Sequence, residues 1–191
     1  MEEKEICLKS NVPFEELKSI MFNIGFKVQE DFQMNDIYMI NKNIDISLDN
    51  KDVIFKDNVL VRETVGKRIL LVNKIKELDD NGVVIGERSV KCLINDSISG
   101  YNFLCSIGYK KAFELKDHNL LLTNGVNEIY IQDVEGLGTY VEMEQKNLLL
   151  ENTNGDTIDE LVDSIKKYDL PLDYSNISVK KAVEMLKNIC E

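Results

Sequence analysis

Ile131-Gln132-Asp133-Val134-Glu135-Gly136-Leu137-Gly138-Thr139-Tyr140-Val141-Glu142-Met143-Glu144 is the stretch that decides the fold. After its Gly-Leu-Gly turn, polar and apolar residues alternate. This predicts a strand with Glu142 and Glu144 on one face and Val141 and Met143 on the other. The opening residues repeat the pattern: in Glu3-Lys4-Glu5-Ile6-Cys7-Leu8-Lys9, the residues Glu3, Glu5, Cys7 and Lys9 share one face while Ile6 and Leu8 share the other. Paired acids on two strands from opposite ends of the chain point to a carboxylate-lined cavity that holds a cation and suits phosphate chemistry.

Composition narrows the function classes. With 191 residues, 43% hydrophobic content and two prolines, the chain can bury one sizeable core, and a single domain over 1–191 is expected. The 34 acidic against 23 basic residues, a net charge of -11, exclude a general nucleic-acid or anionic-membrane surface. Cys7, Cys92, Cys105 and Cys190 show no CxxC spacing and sit in apolar segments, as expected of reduced thiols, which argues against structural zinc. No apolar run reaches membrane-spanning length, and Met1-Glu2-Glu3-Lys4 is too acidic for a signal peptide, so a cytoplasmic protein without a membrane partner is expected.

Hydrophobic period predicts a helix from Pro13 to Ile24, with Phe14, Leu17, Ile20, Met21 and Ile24 on one face and Gly25 at its end. Strand-like runs follow at Phe26–Phe32, Ile37–Asn41, Asn58–Glu63, Arg68–Ile75, Val83–Asn95, Tyr109–Leu115, Asn119–Thr123, Glu128–Asp133 and Thr139–Lys146. Turn signals stand at Asn35-Asp36, Asp79-Asp80-Asn81-Gly82 and Asn124-Gly125. Two helices are expected near the C-terminus, Thr157–Lys167 capped by Asp156 or Thr157 and entered from Asn154-Gly155, and Ser178–Ile189 opened by Ser178. Ile20 to Lys27 is echoed by Phe103 to Lys110, each a helix end, a glycine and an aromatic-plus-lysine strand start. Two pseudo-symmetric halves of antiparallel strands close most economically on themselves, which leaves a polar interior and apolar outer faces covered by helices.

These residues resemble the CYTH group of triphosphate tunnel enzymes, which includes class IV adenylate cyclases, thiamine triphosphatases and inorganic triphosphatases. The resemblance covers nearly the whole chain. It rests on the N-terminal acidic strand, on Gln33-Met34-Asn35-Asp36-Ile37-Tyr38 beside the family's Q-x-x-D-x-Y/F hairpin, on Ile131 to Glu144 beside its L-D-x-V-x-G-L-G-x-F-x-E-x-E pattern, and on Tyr174 to Ile189 beside its last helix. It implies an α+β fold: a closed antiparallel eight-stranded β-barrel, or tunnel, flanked by helices. It further implies Mg²⁺ or Mn²⁺ on the acids Glu3, Glu5, Glu142 and Glu144, and a nucleotide or polyphosphate gripped by Lys9, Arg62, Lys74, Arg88 and Lys116. No nucleic acid is implied, and the chain is expected as a monomer or homodimer.

The chain departs from the family at inward positions. The opening E-x-E-x-K falls on Glu5, Cys7 and Lys9 without a gap, or on Glu3, Glu5 and Cys7 when shifted by two, and both registers lose one position. The R-x-R clamp reads Leu60-Val61-Arg62, and the R-x-E-x-E strand reads Arg88-Ser89-Val90-Lys91-Cys92. The K-x-R strand reads Lys116-Asp117-His118, and the aspartate before the Gly-Leu-Gly turn falls on Gln132. Two readings follow: an adenylate-cyclase-like or triphosphatase-like enzyme, or a catalytically degenerate binding or regulatory module whose tunnel is partly filled by Leu60, Val90 and Cys92. Each feature also has a plain structural role: the glutamates as solvated strand faces, His118 as a loop or rim residue, Cys7 and Cys92 as small buried hydrophobes.

Overall fold

The computed structural model describes residues 4–78, 84–144 and 157–191. In chain order the elements are β1 (Glu5–Ser10), α1 (Phe14–Asn23), β2 (Lys27–Asn41), α2 (Lys51–Lys56), β3 (Asp57–Thr64), β4 (Arg68–Leu78) and β5 (Val84–Ile94). They continue with α3 (Ser97–Ser106), β6 (Tyr109–Thr123), β7 (Glu128–Val134), β8 (Gly138–Glu144), α4 (Ile158–Lys166), β9 (Leu172–Asp173) and α5 (Lys181–Cys190). The α+β class and the pairing of antiparallel strands with flanking helices follow the sequence pattern.

Closure does not. Among the described residues the strands hydrogen-bond in the order β5-β4-β3-β2-β6-β7-β8-β1-β9, a nine-stranded sheet that is not closed into a barrel, where an eight-stranded closed one is expected. The outer edge of β1 is already taken. Lys9 and Ser10 pair with Asp173 and Leu172 of β9, the Cys7 amide donates to the Ile177 carbonyl (3.0 Å), and the Val179 amide donates to the Cys7 carbonyl (2.9 Å). A C-terminal segment thus satisfies backbone groups on the outer edge of β1.

Packing divides the chain into two compact units, Glu3–Phe32 with Asp117–Lys181, and Gln33–Lys116 with Ala182–Glu191. In the first, alternation puts Ile6 and Leu8 of β1, Leu120 and Leu122 of β6, Ile129 and Ile131 of β7, and Val141 and Met143 of β8 on one face. Phe14, Leu17 and Met21 of α1 and Leu161 and Ile165 of α4 cover that face. Thr157 starts α4 with a capping box: its Oγ1 accepts from the Glu160 amide (3.2 Å), and the Glu160 carboxylate accepts from the Thr157 amide (3.1 Å).

In the second unit Met39 and Val61 pack on Leu104 of α3, and Ile54 and Phe55 of α2 pack with Ile40, Phe113 and Leu186. Helix α2 carries no period a six-residue window could reveal. Asn35-Asp36 is not a turn, because β2 runs unbroken through it. Asp36 is 4% exposed, and the Arg62 guanidinium spans its carboxylate with Nε to Oδ1 at 2.8 Å and Nη2 to Oδ2 at 2.5 Å. Likewise β6 joins two expected runs into one strand. The echo is present in the backbone: α1 and α3 each end in a glycine of positive φ, Gly25 at 96° and Gly108 at 98°, followed by a 15-residue strand. Asn124-Gly125 turns as expected, with the Asn124 side-chain oxygen accepting from the amides of Val126 and Asn127. The turn at Asp79 to Gly82 and the Asn154-Gly155 entry lie outside the described residues. Among the described residues no helix is long and apolar enough to cross a membrane.

Candidate functional site

Register assembles the polar face of the first unit. Glu5 stands opposite Glu144, Cys7 opposite Glu142 and Lys9 opposite Tyr140; across β8, Glu142 faces Tyr130 and Tyr140 faces Gln132; across β7, Gln132 faces Asn119. These residues alternate with the core residues named above, so they share the face that α1 and α4 leave uncovered. It is a buried, hydrogen-bonded surface. Asn119, Gln132 and Asp117 are 1%, 3% and 5% exposed.

One chain of bonds links them. The Gln132 amide nitrogen donates to Asn119 Oδ1 (2.8 Å) and to Glu142 Oε2 (3.0 Å), and the Asn119 amide nitrogen donates to Asp117 Oδ1 (2.9 Å). Lys181 Nζ donates to Gln132 Oε1 and pairs with Glu142 Oε1 at 2.7 Å, with both charged side chains only 16% exposed. The bonds at residues 177–179 hold the chain extended along β1. That is why α5 begins at Lys181 instead of Ser178, and it delivers Lys181 to the face.

Electrostatics follow from this burial. Desolvation works against the Lys181 ammonium, yet Glu142 and its other neighbours together outweigh it and hold the group above its ordinary value. Burial, reinforced by the Glu142 charge, pushes the Cys7 thiol far up, so it stays protonated. Tyr130 is pushed up to about 12, first by burial and then by Glu144, Glu30, Glu128 and Glu142.

The other residues singled out in the sequence are placed as follows. Glu3 lies outside the described residues. Glu5 is exposed, with Lys180 Nζ 3.7 Å from its carboxylate. Lys9 lies over the Tyr140 ring, 5.5 Å from its centroid. In the second unit Arg62 is clamped to Asp36, and Lys116 Nζ lies 3.7 Å from Glu114. Lys74 pairs in register with Asn58 and Ser89, and Arg88 with Ile75. Leu60 is fully buried beside Tyr38 in register. Val90 and Cys92 do not fill an interior: they lie on β5, the strand at the end of the sheet order, pair with Asn73 and Leu71 of β4, and are both exposed, Val90 by 58%. A period of two fixes which residues share a face, but not which face is covered. His118 sits on β6 instead of in a loop, with Nε2 2.8 Å from Asp31 Oδ1 and its ring tilted against Phe14.

Among the described residues no three His, Cys, Asp or Glu side chains converge to hold a metal ion. Glu142 does not fit a resident cation as it stands, because its two oxygens are taken by Lys181 and Gln132. Lys181, Asn119 and Asp117 are the members of the network that sequence reading passed over. Asp117 and Asn119, at alternate positions on the face of β6 that also carries Leu115 and Leu121, were a legible signal. For Lys181 there was none, since a lysine opening an amphipathic helix reads as a solvated residue.

No family model matches the chain, and no curated protein is found similar to it in sequence. Solved structures are. A conserved hypothetical protein from Pyrococcus furiosus superposes with TM-score 0.65 at 16% identity, over 95% of this chain and 99% of that one. A candidate adenylate cyclase from Vibrio parahaemolyticus gives TM-score 0.61 at 14% identity, over 97% and 98%. A candidate adenylyl cyclase from Hippeastrum, described by its dominant triphosphatase activity, gives 0.58 at 15%, over 96% and 94%. At such identities the likeness establishes fold alone: this chain shares the fold of these candidate adenylate cyclases, which agrees with the resemblance carried by the Gly-Leu-Gly strand.

Proposed function

We propose that this chain binds a nucleoside triphosphate or another polyphosphate, with Mg²⁺ or Mn²⁺ entering as the ion the phosphates carry, and acts as a triphosphatase or an adenylate cyclase. The observation that carries the reading is the buried face of Glu142, Gln132, Asn119, Asp117 and Lys181 in a fold shared with a candidate cyclase and a triphosphatase. Buried charge is costly unless it serves a purpose, and a desolvated surface of fixed charges and amides stabilises the charge developing in phosphoryl or nucleotidyl transfer. In this reading Lys9, Arg62, Lys74, Arg88 and Lys116 neutralise phosphate oxygens, Glu3, Glu5 and Glu144 supply the acidic side, and Glu142 orients Lys181. A triphosphatase aligns water on the terminal phosphorus. A cyclase aligns the ribose 3′-hydroxyl on the α-phosphorus, with pyrophosphate leaving.

A silent binding module is the second reading. Leu60 favours it, because a fully buried leucine stands where the clamp would carry its first arginine. Incubating the purified protein with ATP, thiamine triphosphate and tripolyphosphate in Mg²⁺ or Mn²⁺ separates the two readings, with phosphate, pyrophosphate and cyclic AMP followed. Turnover above a Glu142→Gln/Glu144→Gln control is expected, and its absence leaves the binding module. A ligand that binds only the folded state at 100 times its dissociation constant adds about 2.7 kcal/mol to stability. If tripolyphosphate with metal gives no rise in melting temperature, the polyphosphate reading fails altogether.

A further inference from the structure

Glu142 belongs to the acidic pattern that the resemblance assigns to divalent metal, yet its surroundings belong to a lysine. We infer that Lys181 supplies the cation at Glu142, so that this carboxylate binds no divalent metal while Lys181 is in place. The inference rests on the polyphosphate reading only for its consequence, that phosphate would meet a protein ammonium here instead of a metal ion.

Four observations carry it. Lys181 Nζ lies 2.7 Å from Glu142 Oε1, within charge-assisted hydrogen-bond distance. The other carboxylate oxygen accepts from the Gln132 amide at 3.0 Å, so both oxygens are engaged. The Gln132 amide is fixed in orientation: its oxygen accepts from Lys181 while its nitrogen serves Glu142 and Asn119. Finally, Lys181 is not a wandering surface side chain, because the Ile177 and Val179 backbone bonds to Cys7 anchor the segment leading to it.

The physical competition is direct. Mg²⁺ needs near-octahedral oxygen ligands at about 2.0–2.1 Å and gives up its water reluctantly. To reach Glu142 it would have to displace the ammonium and leave that charge buried with a single amide acceptor.

Manganese binding to the whole protein, without any phosphate present, tests this by the electron paramagnetic resonance signal of free Mn²⁺. Wild type and Glu142→Gln should bind Mn²⁺ with the same affinity, because Glu142 contributes nothing. Lys181→Met should gain at least tenfold, and Lys181→Met/Glu142→Gln should lose that gain. Either a weakening in Glu142→Gln alone or no gain in Lys181→Met overturns the inference. Should Lys181→Met fail to fold, the wild type decides: the Lys181 ammonium gives a slowly exchanging ¹H–¹⁵N signal that 10-fold excess Mg²⁺ leaves in place, and its loss on adding Mg²⁺ refutes the assignment. None of these readouts involves tripolyphosphate, so failure of the polyphosphate reading in the thermal-shift assay stays distinct.

Discussion

Gln132→Glu restores an acid at the position where the family pattern carries one, and the structure says that it should destabilise the fold. The substitution is nearly isosteric, so packing is not at issue. What changes is the direction of the hydrogen bonds. Gln132 donates to Glu142 at 3.0 Å and to Asn119 at 2.8 Å while accepting from Lys181. A carboxylate keeps only the last. The lost bond to charged Glu142 is worth roughly 1.5–3 kcal/mol and the neutral one to Asn119 roughly 0.5–1.5 kcal/mol. Asn119 cannot simply flip, because its amide nitrogen already serves Asp117 and the flip would set two acceptors against each other. A stronger bond to Lys181 offsets about 1 kcal/mol, and two carboxylates sharing one ammonium repel. The net expectation is a loss of about 1–3.5 kcal/mol at pH 7 before that repulsion is added, read by urea unfolding. The sign with pH is fixed. Glu142 raises the pKa of the new carboxyl in the folded state, so the penalty is full above that pKa and shrinks as pH falls through it. The difference from wild type should therefore narrow between pH 7 and pH 5. Equal stability at pH 7, or a difference that widens on acidification, refutes the bond directions on which this rests.

Four further outcomes follow from burial. Of the four free thiols, Cys92, Cys105 and Cys190 are exposed and should react with Ellman's reagent at once, while Cys7 reacts only on unfolding. Because Cys7 is held protonated in the folded state, its contribution is complete below the ordinary thiol value of 9.0 and falls above it; Cys7→Ala should flatten the pH dependence of urea stability between pH 9 and 10.5, and an unchanged slope would count against that. Tyr130 should ionise near pH 12 by absorbance at 295 nm, and Glu144→Gln should bring it down, whereas an unmoved curve would place Glu144 away from the ring. Arg62→Ala leaves Asp36 buried without its partner and should cost about 3 kcal/mol by urea unfolding; Arg62→Lys should cost less but lose the paired geometry, and a cost under 1 kcal/mol for the alanine would mean water reaches Asp36.

Strand alternation was legible wherever one face met helices. Val141 and Met143 against Glu142 and Glu144, and Ile6 and Leu8 against Glu5 and Cys7, fall on the faces their period assigns. The echo around Gly25 and Gly108 was legible because a left-handed glycine after a helix is a local event. What alternation could not carry was the fate of the β1 edge, which two residues of β9 and backbone bonds with Ile177 and Val179 occupy, none with a side-chain signature. Nor could it carry Asp36, whose turn propensity is overridden by a guanidinium 26 residues away.

The two lysines that open the last helix put the electrostatics of the acidic face in order. Lys180 and Lys181 approach Glu5 and Glu142, two of the acids the family pattern gives to metal, but the two pairs are not equivalent. At 3.7 Å, with both side chains exposed, Lys180 and Glu5 make a contact that salt screens and that leaves Glu5 available to a ligand. At 2.7 Å, in a setting that excludes most water, Lys181 and Glu142 make one that removal of either partner would expose as an uncompensated charge. The chain is strongly acidic as a whole, at -11, so an anionic ligand is repelled from most of its surface. A polyphosphate therefore needs local cations, and in the first unit the buried one comes from the C-terminal segment that occupies the edge of β1. The contacts that occupy the edge of β1 and those that place Lys181 are the same, so weakening the Cys7 to Ile177 pairing should disturb edge protection and, on the proposed function, ligand binding together.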